Sequence, residues 1–181
     1  MLYIMRHGKT DWNAKYKLQG RTDIPLNEEG RAMARAAREK YKDIAIDICY
    51  SSPLLRARET AEIFLEGREV PILFDDRLME MSFGASEGTE NVFEKPDLAV
   101  YRLFKDPVNY VAEAGAESFE ELFARTGEFL TEVAEPLLAQ GKNVLIVGHG
   151  AMNSSIINRV RGIPLERFWE TLCGNCELVK L

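Results

Sequence analysis

Short, largely apolar runs recur along this chain at about residues 2–6, 46–50, 71–74, 143–148 and 176–180. Two of them, Leu2-Tyr3-Ile4-Met5 and Val144-Leu145-Ile146-Val147, are followed within a few residues by glycine. Four apolar residues and then a turn glycine describe a buried strand ending in a sharp turn. Between these runs the pattern becomes helical. Asn27 offers a cap oxygen, Glu28 and Glu29 suit a positive helix N-terminus, and an Ala-rich stretch follows, which predicts a helix over about 28–41. Ser52-Pro53 reads as a cap and first helical residue for a helix ending near Gly67. Ser118 with Glu121 makes a capping box for a long helix over about 119–139, which Pro136 bends or ends. Another helix is expected at about 151–161, before the last strand.

Strands alternating with helices point to an α/β fold. The expectation is a single three-layer, doubly wound domain over residues 1–181 with a mostly parallel sheet, since no linker divides it. Residues 77–115 are the least regular stretch, carrying Gly84, Gly88, Pro96, Pro107 and Gly115, and suggest a short cap of about 85–115 over the sheet edge.

Composition narrows the partners. The 181 residues are 46% hydrophobic and 29% charged, with a net charge of −6. That balance argues against nucleic acid or an anionic membrane as partner. An anion site must then be a local concentration of arginines. No apolar run approaches the roughly 20 residues of a membrane span. A cleaved leader would remove His7, so the cytoplasm is the expected location. Of the three cysteines, Cys49 reads as a small core residue. Cys173 and Cys176 have CxxC spacing but lead into a strand-like tail rather than a helix, which disfavours redox chemistry. Two further ligands for zinc are lacking, and no metal or cofactor is expected.

Only two histidines are present, His7 and His149, and each follows an apolar strand. Ligands of open α/β sheets gather at the carboxyl ends of their strands. His7 with Arg6, His149, and Arg56 from the first turn after the second strand should therefore meet at one edge. Arginine forks and a helix N-terminus at Ser52-Pro53 suit a phosphate. A neutral imidazole whose other nitrogen is held as a donor is a competent nucleophile toward phosphorus.

Arg6-His7-Gly8-Lys9-Thr10-Asp11-Trp12-Asn13 resembles the RHG signature of the histidine phosphatase superfamily, which includes cofactor-dependent phosphoglycerate mutases. The likeness continues through Leu18-Gln19-Gly20, Asp23-Ile24-Pro25-Leu26, Gly30-Arg31-Ala32 and Ser51-Ser52-Pro53-Leu54-Leu55-Arg56-Ala57 with Glu59-Thr60-Ala61. It resumes in Leu78-Met79-Glu80-Met81-Ser82-Phe83-Gly84, Glu87-Gly88, Glu117-Ser118 and Gly148-His149-Gly150. The resemblance implies a phosphoglycerate mutase-like fold and a metal-independent phosphomonoesterase of the histidine acid phosphatase type. In it His7 becomes phosphohistidine, Arg6, Arg56 and His149 hold the phosphoryl group, and Glu80 serves as acid and then base. Asn13, Gln19, Gly20, Thr10 and Gly150, with Lys9, fall at substrate-contacting positions.

The same resemblance leaves a mutase as the alternative. The segment between Gly88 and Gly115 is short, with lysines only at 95 and 105, which favours water as acceptor. A non-catalytic phosphate-binding or regulatory protein is the alternative of another class, and the presence of His7, Glu80 and His149 together argues for catalysis. A small phosphate ester is the expected partner. Related phosphatases often carry tryptophan where this chain has Gly84-Ala85-Ser86-Glu87-Gly88, which reshapes the pocket wall and leaves the ester unidentified. Phe93, Tyr101, Phe104 and Tyr110 either line that pocket or anchor the cap to the core, the second being slightly favoured.

Overall fold

The computed structural model describes residues 1–181. Strands β1 (Leu2–Arg6), β2 (Ile48–Ser51), β3 (Ile72–Phe74), β4 (Val144–Gly148) and β5 (Leu178–Lys180) form one sheet in the order β3-β2-β4-β1-β5. Four strands are parallel, and β5 runs antiparallel beside β1. Every expected strand is present, β2 and β5 each starting two residues later than the apolar runs suggested. Asp47 is spent joining Asn143 to the chain just ahead of β2, through its own N–H and its carboxylate. Cys176 has a left-handed backbone (φ 55°), which breaks the ladder ahead of β5.

The helices are α1 (Asp11–Ala14), α2 (Glu28–Lys40), α3 (Leu55–Leu65), α4 (Ala99–Lys105), α5 (Phe119–Phe129), α6 (Glu135–Ala139) and α7 (Gly150–Arg161). Alternate residues of the central strands face opposite layers, as strand geometry requires. Ile4, Val144 and Ile146 pack with Phe129 of α5 and Met152 and Ile156 of α7. Met5, Leu145 and Val147 pack with Ala34 of α2 and Ala57, Ala61 and Phe64 of α3. A parallel sheet covered on both faces has no polar side, which is why β1 and β4 read as unbroken apolar runs.

Two helix boundaries differ from expectation. The third helix starts at Leu55 rather than at Pro53, and Ser52 is not its cap. Ser52 Oγ accepts from Leu54 N, while Asp23 from the preceding loop accepts from Leu55 N at 2.8 Å. The predicted helix over 119–139 opens with the expected Ser118/Glu121 capping box but is broken into α5, a π-turn over Leu130–Ala134, and α6. Pro136 has no N–H to give and its ring crowds the carbonyl four residues back, so the chain widens and Glu135 N reaches Leu130 O instead.

β1 and β4 are neighbours with Arg6 opposite Gly148, so His7 and His149 emerge side by side from adjacent strands. The turn after β1 is closed by α2. A Cβ on Gly8 would lie 2.6 Å from Gly30 O, and one on Gly30 would meet the Lys9 carbonyl and fall 2.7 Å from Lys9 N. Both glycines are therefore demanded by a close backbone approach rather than by a turn. Gly30→Ala should destabilise the protein by about 2 kcal/mol or more despite alanine's better helix propensity. Urea unfolding beside Ala36→Gly, an exposed α2 control costing about 1 kcal/mol, checks this; a stabilised Gly30→Ala variant would contradict it.

Candidate active site

His7 leaves β1 with its backbone N–H on Gly148 O at 2.9 Å. Its Nδ1 lies 2.6 Å from Gly8 O. A carbonyl only accepts, so Nδ1 carries the proton and Nε2 presents a lone pair. His149 lies with its ring centroid 5.2 Å away. There Arg56 Nε donates to Nδ1 at 3.2 Å, which puts the proton on Nε2. That Nε2 is buried without a protein partner, as is Arg6 Nε. The two rings thus hold opposite tautomers, one a base and the other a donor.

Arg56 is wholly buried in the first turn of α3. Its Nη1 and Nη2 donate to Thr22 O at 3.0 Å and Gly20 O at 2.6 Å. Burial pulls its pKa down to about 10, which leaves it cationic at neutral pH. Burial is also the main reason both imidazoles lie well below the usual 6.5, with Arg56 and Arg6 repelling a further positive charge. Each ring is therefore neutral at pH 7.

Glu80 is buried at the N-terminus of α7. Its Oε1 accepts from Met81 N at 2.9 Å and Met152 N at 3.0 Å, and its Oε2 from Ala151 N at 3.2 Å. Glu87 has a different task. It accepts from Arg21 N, Thr22 N, Thr22 Oγ1 and Phe83 N, so it folds the loop whose carbonyls hold Arg56. Burial works to raise the Glu87 pKa, and those hydrogen bonds outweigh it and bring the value down. The segment carrying Glu80 is braced from behind. Arg125 pairs with buried Glu117 at 2.6 Å and donates to the carbonyls of Arg77 and Met79.

A cavity of about 340 Å³ opens above these groups. Arg6, His7, Glu80, Asn13, Gln19, Gly150 and Lys9 line it, whereas Arg56 and His149 lie beneath its floor. Thr10 and Gly20 do not line it. Thr10 caps α1 in a box with Asn13, and Gly20 gives its carbonyl to Arg56. Asn13 Oδ1 serves that cap, leaving Nδ2 without a protein partner. Gln19 lies 2.7 Å from Thr10 Oγ1; with its amide nitrogen turned there, its oxygen reaches Arg56 Nη1 at 3.2 Å. At the helix start near Ser52-Pro53, Ser52 Oγ and Asp23 take the N–H groups of Leu54 and Leu55. At the α7 N-terminus Glu80 takes the N–H groups of Ala151 and Met152.

The aromatic residues divide between the two alternatives. Phe93 and Phe104 line the cavity, while Tyr110 packs edge-on to Phe119 in the core and Tyr101 is half-buried outside the cavity. Phe83, Trp169, Leu172 and Asn175, which sequence reasoning did not single out, complete the wall. Trp169 stacks on Phe104 at 4.8 Å and is fixed by its N–H on Leu103 O. The two neighbouring cysteines are unpaired. Cys173 packs in the α5/α7 layer and Cys176 in the α2/α3 layer, on opposite faces of the sheet. No three His, Cys, Asp or Glu residues converge as metal ligands. No helix is long and apolar enough to cross a membrane.

Residues 2–181 match the histidine phosphatase superfamily (branch 1). The chain belongs to this superfamily. It is similar to the uncharacterized phosphatase PhoE of Bacillus subtilis (strain 168), 38% identical over 88% of this chain and 76% of that protein. It is also similar to the probable phosphoglycerate mutase GpmB of Escherichia coli O1:K1 / APEC, 30% identical over 99% of this chain and 83% of that one. Among solved structures, mycobacterial glucosyl-3-phosphoglycerate phosphatase Rv2419c, in complex with VO3, superposes with a TM-score of 0.85 at 28% identity, covering 98% of this chain and 90% of that one. The mostly parallel sheet with flanking helices is the fold shared with these phosphoglycerate mutase-like phosphatases.

The neutral, buried histidines set a pH dependence of stability. Unfolding frees each ring to protonate near its usual 6.5, while the folded ring stays neutral, so the unfolded state binds more protons as pH falls. Stability should drop below about pH 6.5 by up to about 1.4 kcal/mol per pH unit for each histidine and recover above it. Urea midpoints at pH 5 to 8 check this, and a His149→Gln variant should show a shallower acid slope. An identical slope in the variant would contradict the buried neutral ring.

Proposed function

We propose that this protein is a metal-independent phosphomonoester hydrolase working through phosphohistidine. The supporting observation is the pair of opposite tautomers at the base of the cavity, with His149 Nε2 and Arg6 Nε buried and unpartnered. Donors without acceptors at the base of a pocket fit an oxyanion, and a phosphoryl group supplies several oxygens.

The reaction runs in two displacements. His7 Nε2 attacks phosphorus, the P–O ester bond breaks, and Glu80 gives its proton to the departing oxygen. Arg6 and His149 Nε2–H hold the equatorial oxygens, and the buried Arg56 charge behind His149 supports them as charge shifts onto them. The ring keeps its Nδ1 proton on Gly8 O, so the phosphorylated imidazole is cationic and a good leaving group. Water then attacks phosphorus, Glu80 takes its proton, the P–N bond breaks, and phosphate leaves with His7 neutral again. Glu80 Oε1 is held by two backbone N–H groups and Oε2 by one longer bond, so Oε2 is the oxygen that exchanges the proton.

The outer wall indicates the organic part of the ester. Leu18, Phe83, Phe93, Phe104, Trp169 and Leu172 make it largely apolar and aromatic. The rim cations are partly spoken for, Lys9 by Glu29 at 2.8 Å and Lys17 by Glu90 at 3.6 Å. A second phosphoryl group, which a mutase must retain, finds little free positive charge here. Water is the acceptor on this reading, and esters with a flat apolar group are preferred over 3-phosphoglycerate.

In EDTA, phosphate release should be fastest from aryl esters, and His7→Ala should lose at least about a thousandfold in kcat. Conversion of 3-phosphoglycerate to its 2-isomer, without comparable hydrolysis, would make the protein a mutase instead. Glu80→Gln should separate substrates by leaving group. Alkyl esters should lose about 10²–10⁴-fold, while 4-nitrophenyl phosphate should give a burst of nitrophenol followed by slow turnover. Equal slowing of the burst phase on both ester classes would remove Glu80 from the acid role.

A further inference from the structure

The last loop before β5 grips the turn that carries the nucleophile. Cys176 N donates to Arg6 O at 2.9 Å, and Arg6 Nη1 donates to Cys173 O at 3.0 Å. Between them Asn175 Nδ2 donates to His7 O at 2.7 Å. That carbonyl shares a peptide plane with Gly8 N, which donates to Thr60 Oγ1 at 3.0 Å. Thr60 in turn gives its hydroxyl proton to Arg56 O at 2.6 Å. The His7–Gly8 peptide plane is therefore fixed at both ends, by Asn175 on its oxygen and by α3 on its nitrogen. The next carbonyl, Gly8 O, receives His7 Nδ1 and so orients the ring. A tilt of the plane moves Gly8 O, and the ring follows it.

We infer that Asn175 is a positioning residue, whose carboxamide sets the peptide plane that aims His7 Nε2 into the cavity. This rests on the phosphohistidine reading above. The loop itself has other anchors, including Gly174 N on Glu177 Oε2 at 2.7 Å, so removing one side chain leaves it in place. Left-handed Cys176 turns the chain so that the Asn175 side chain and the Cys176 N–H both address β1. Asn175 also borders the cavity, where a shift in the loop reaches the wall at Leu172.

The test compares Asn175→Ala and Asn175→Asp with the wild type on 4-nitrophenyl phosphate in EDTA, with inhibition by orthovanadate and by inorganic phosphate. Five-coordinate vanadate requires a bond to a well-aimed His7 Nε2, whereas inorganic phosphate needs only the cationic cradle. Asn175→Ala should lower kcat about tenfold to a hundredfold, the scale of a displaced reacting group, and weaken vanadate by a similar factor. KM and phosphate inhibition should stay within about threefold, since the arginines are untouched. Asn175→Asp cannot donate at neutral pH and puts a negative charge beside the ring. It should be at least as slow, with the acid limb of its pH–rate profile moved to higher pH. A kcat within about twofold of wild type in Asn175→Ala, with vanadate unchanged, would overturn the inference. So would a parallel loss of vanadate, phosphate and thermal stability, which marks a merely structural loop. An inactive wild type, or an active His7→Ala variant, would instead sink the phosphohistidine reading itself.

Discussion

The site depends on one hydrogen bond from a buried cation to a buried imidazole, Arg56 Nε to His149 Nδ1. Without it, His149 has no reason to carry its proton on Nε2, and the floor of the cavity loses a donor. With it, two chemically identical side chains become different reagents. His7 is locked as the opposite tautomer by its own Gly8 carbonyl. Neutrality completes the division. A protonated His7 would have no lone pair, and burial among arginines keeps both rings uncharged near pH 7.

Keeping Arg56 buried imposes obligations on the rest of the chain. An unpaired guanidinium in the interior would be costly, so the loop around residues 20–22 turns its carbonyls inward to receive it. Those carbonyls are held by Glu87, which reaches across from the segment that also carries Glu80. Glu80 in turn occupies the N-terminus of α7, directly after His149. Glu80, the second imidazole and the buried arginine therefore share one hydrogen-bonded frame. The β1–β4 register supplies the remaining constraint by placing the two histidines on neighbouring strands.

Much of this was legible in the sequence because burial on both sheet faces leaves a strong apolar signal. The strands around Ile4 and Ile146, the capping box at Ser118, and the gathering of His7, Arg56 and His149 all follow from local pattern and strand-end geometry. The helix after β2 was misplaced because its true cap, Asp23, is distant in sequence. The helix over 119–139 was read as one piece because helical periodicity does not register a widened π-turn. Trp169 and Asn175 were missed for a related reason. Each works through a carbonyl on a distant segment, Leu103 and His7, and backbone acceptors leave no trace in side-chain pattern. The CxxC pair falls in the loop that carries Asn175, with its two cysteines on opposite sheet faces.

Because the chain has two histidines only, their tautomers can be read directly by ¹⁵N NMR of histidine-labelled protein. At pH 7 the account predicts two neutral rings, His7 protonated at Nδ1 and His149 at Nε2, with assignment from a His149→Gln variant. Two rings of the same tautomer, or either ring protonated at both nitrogens, would contradict it.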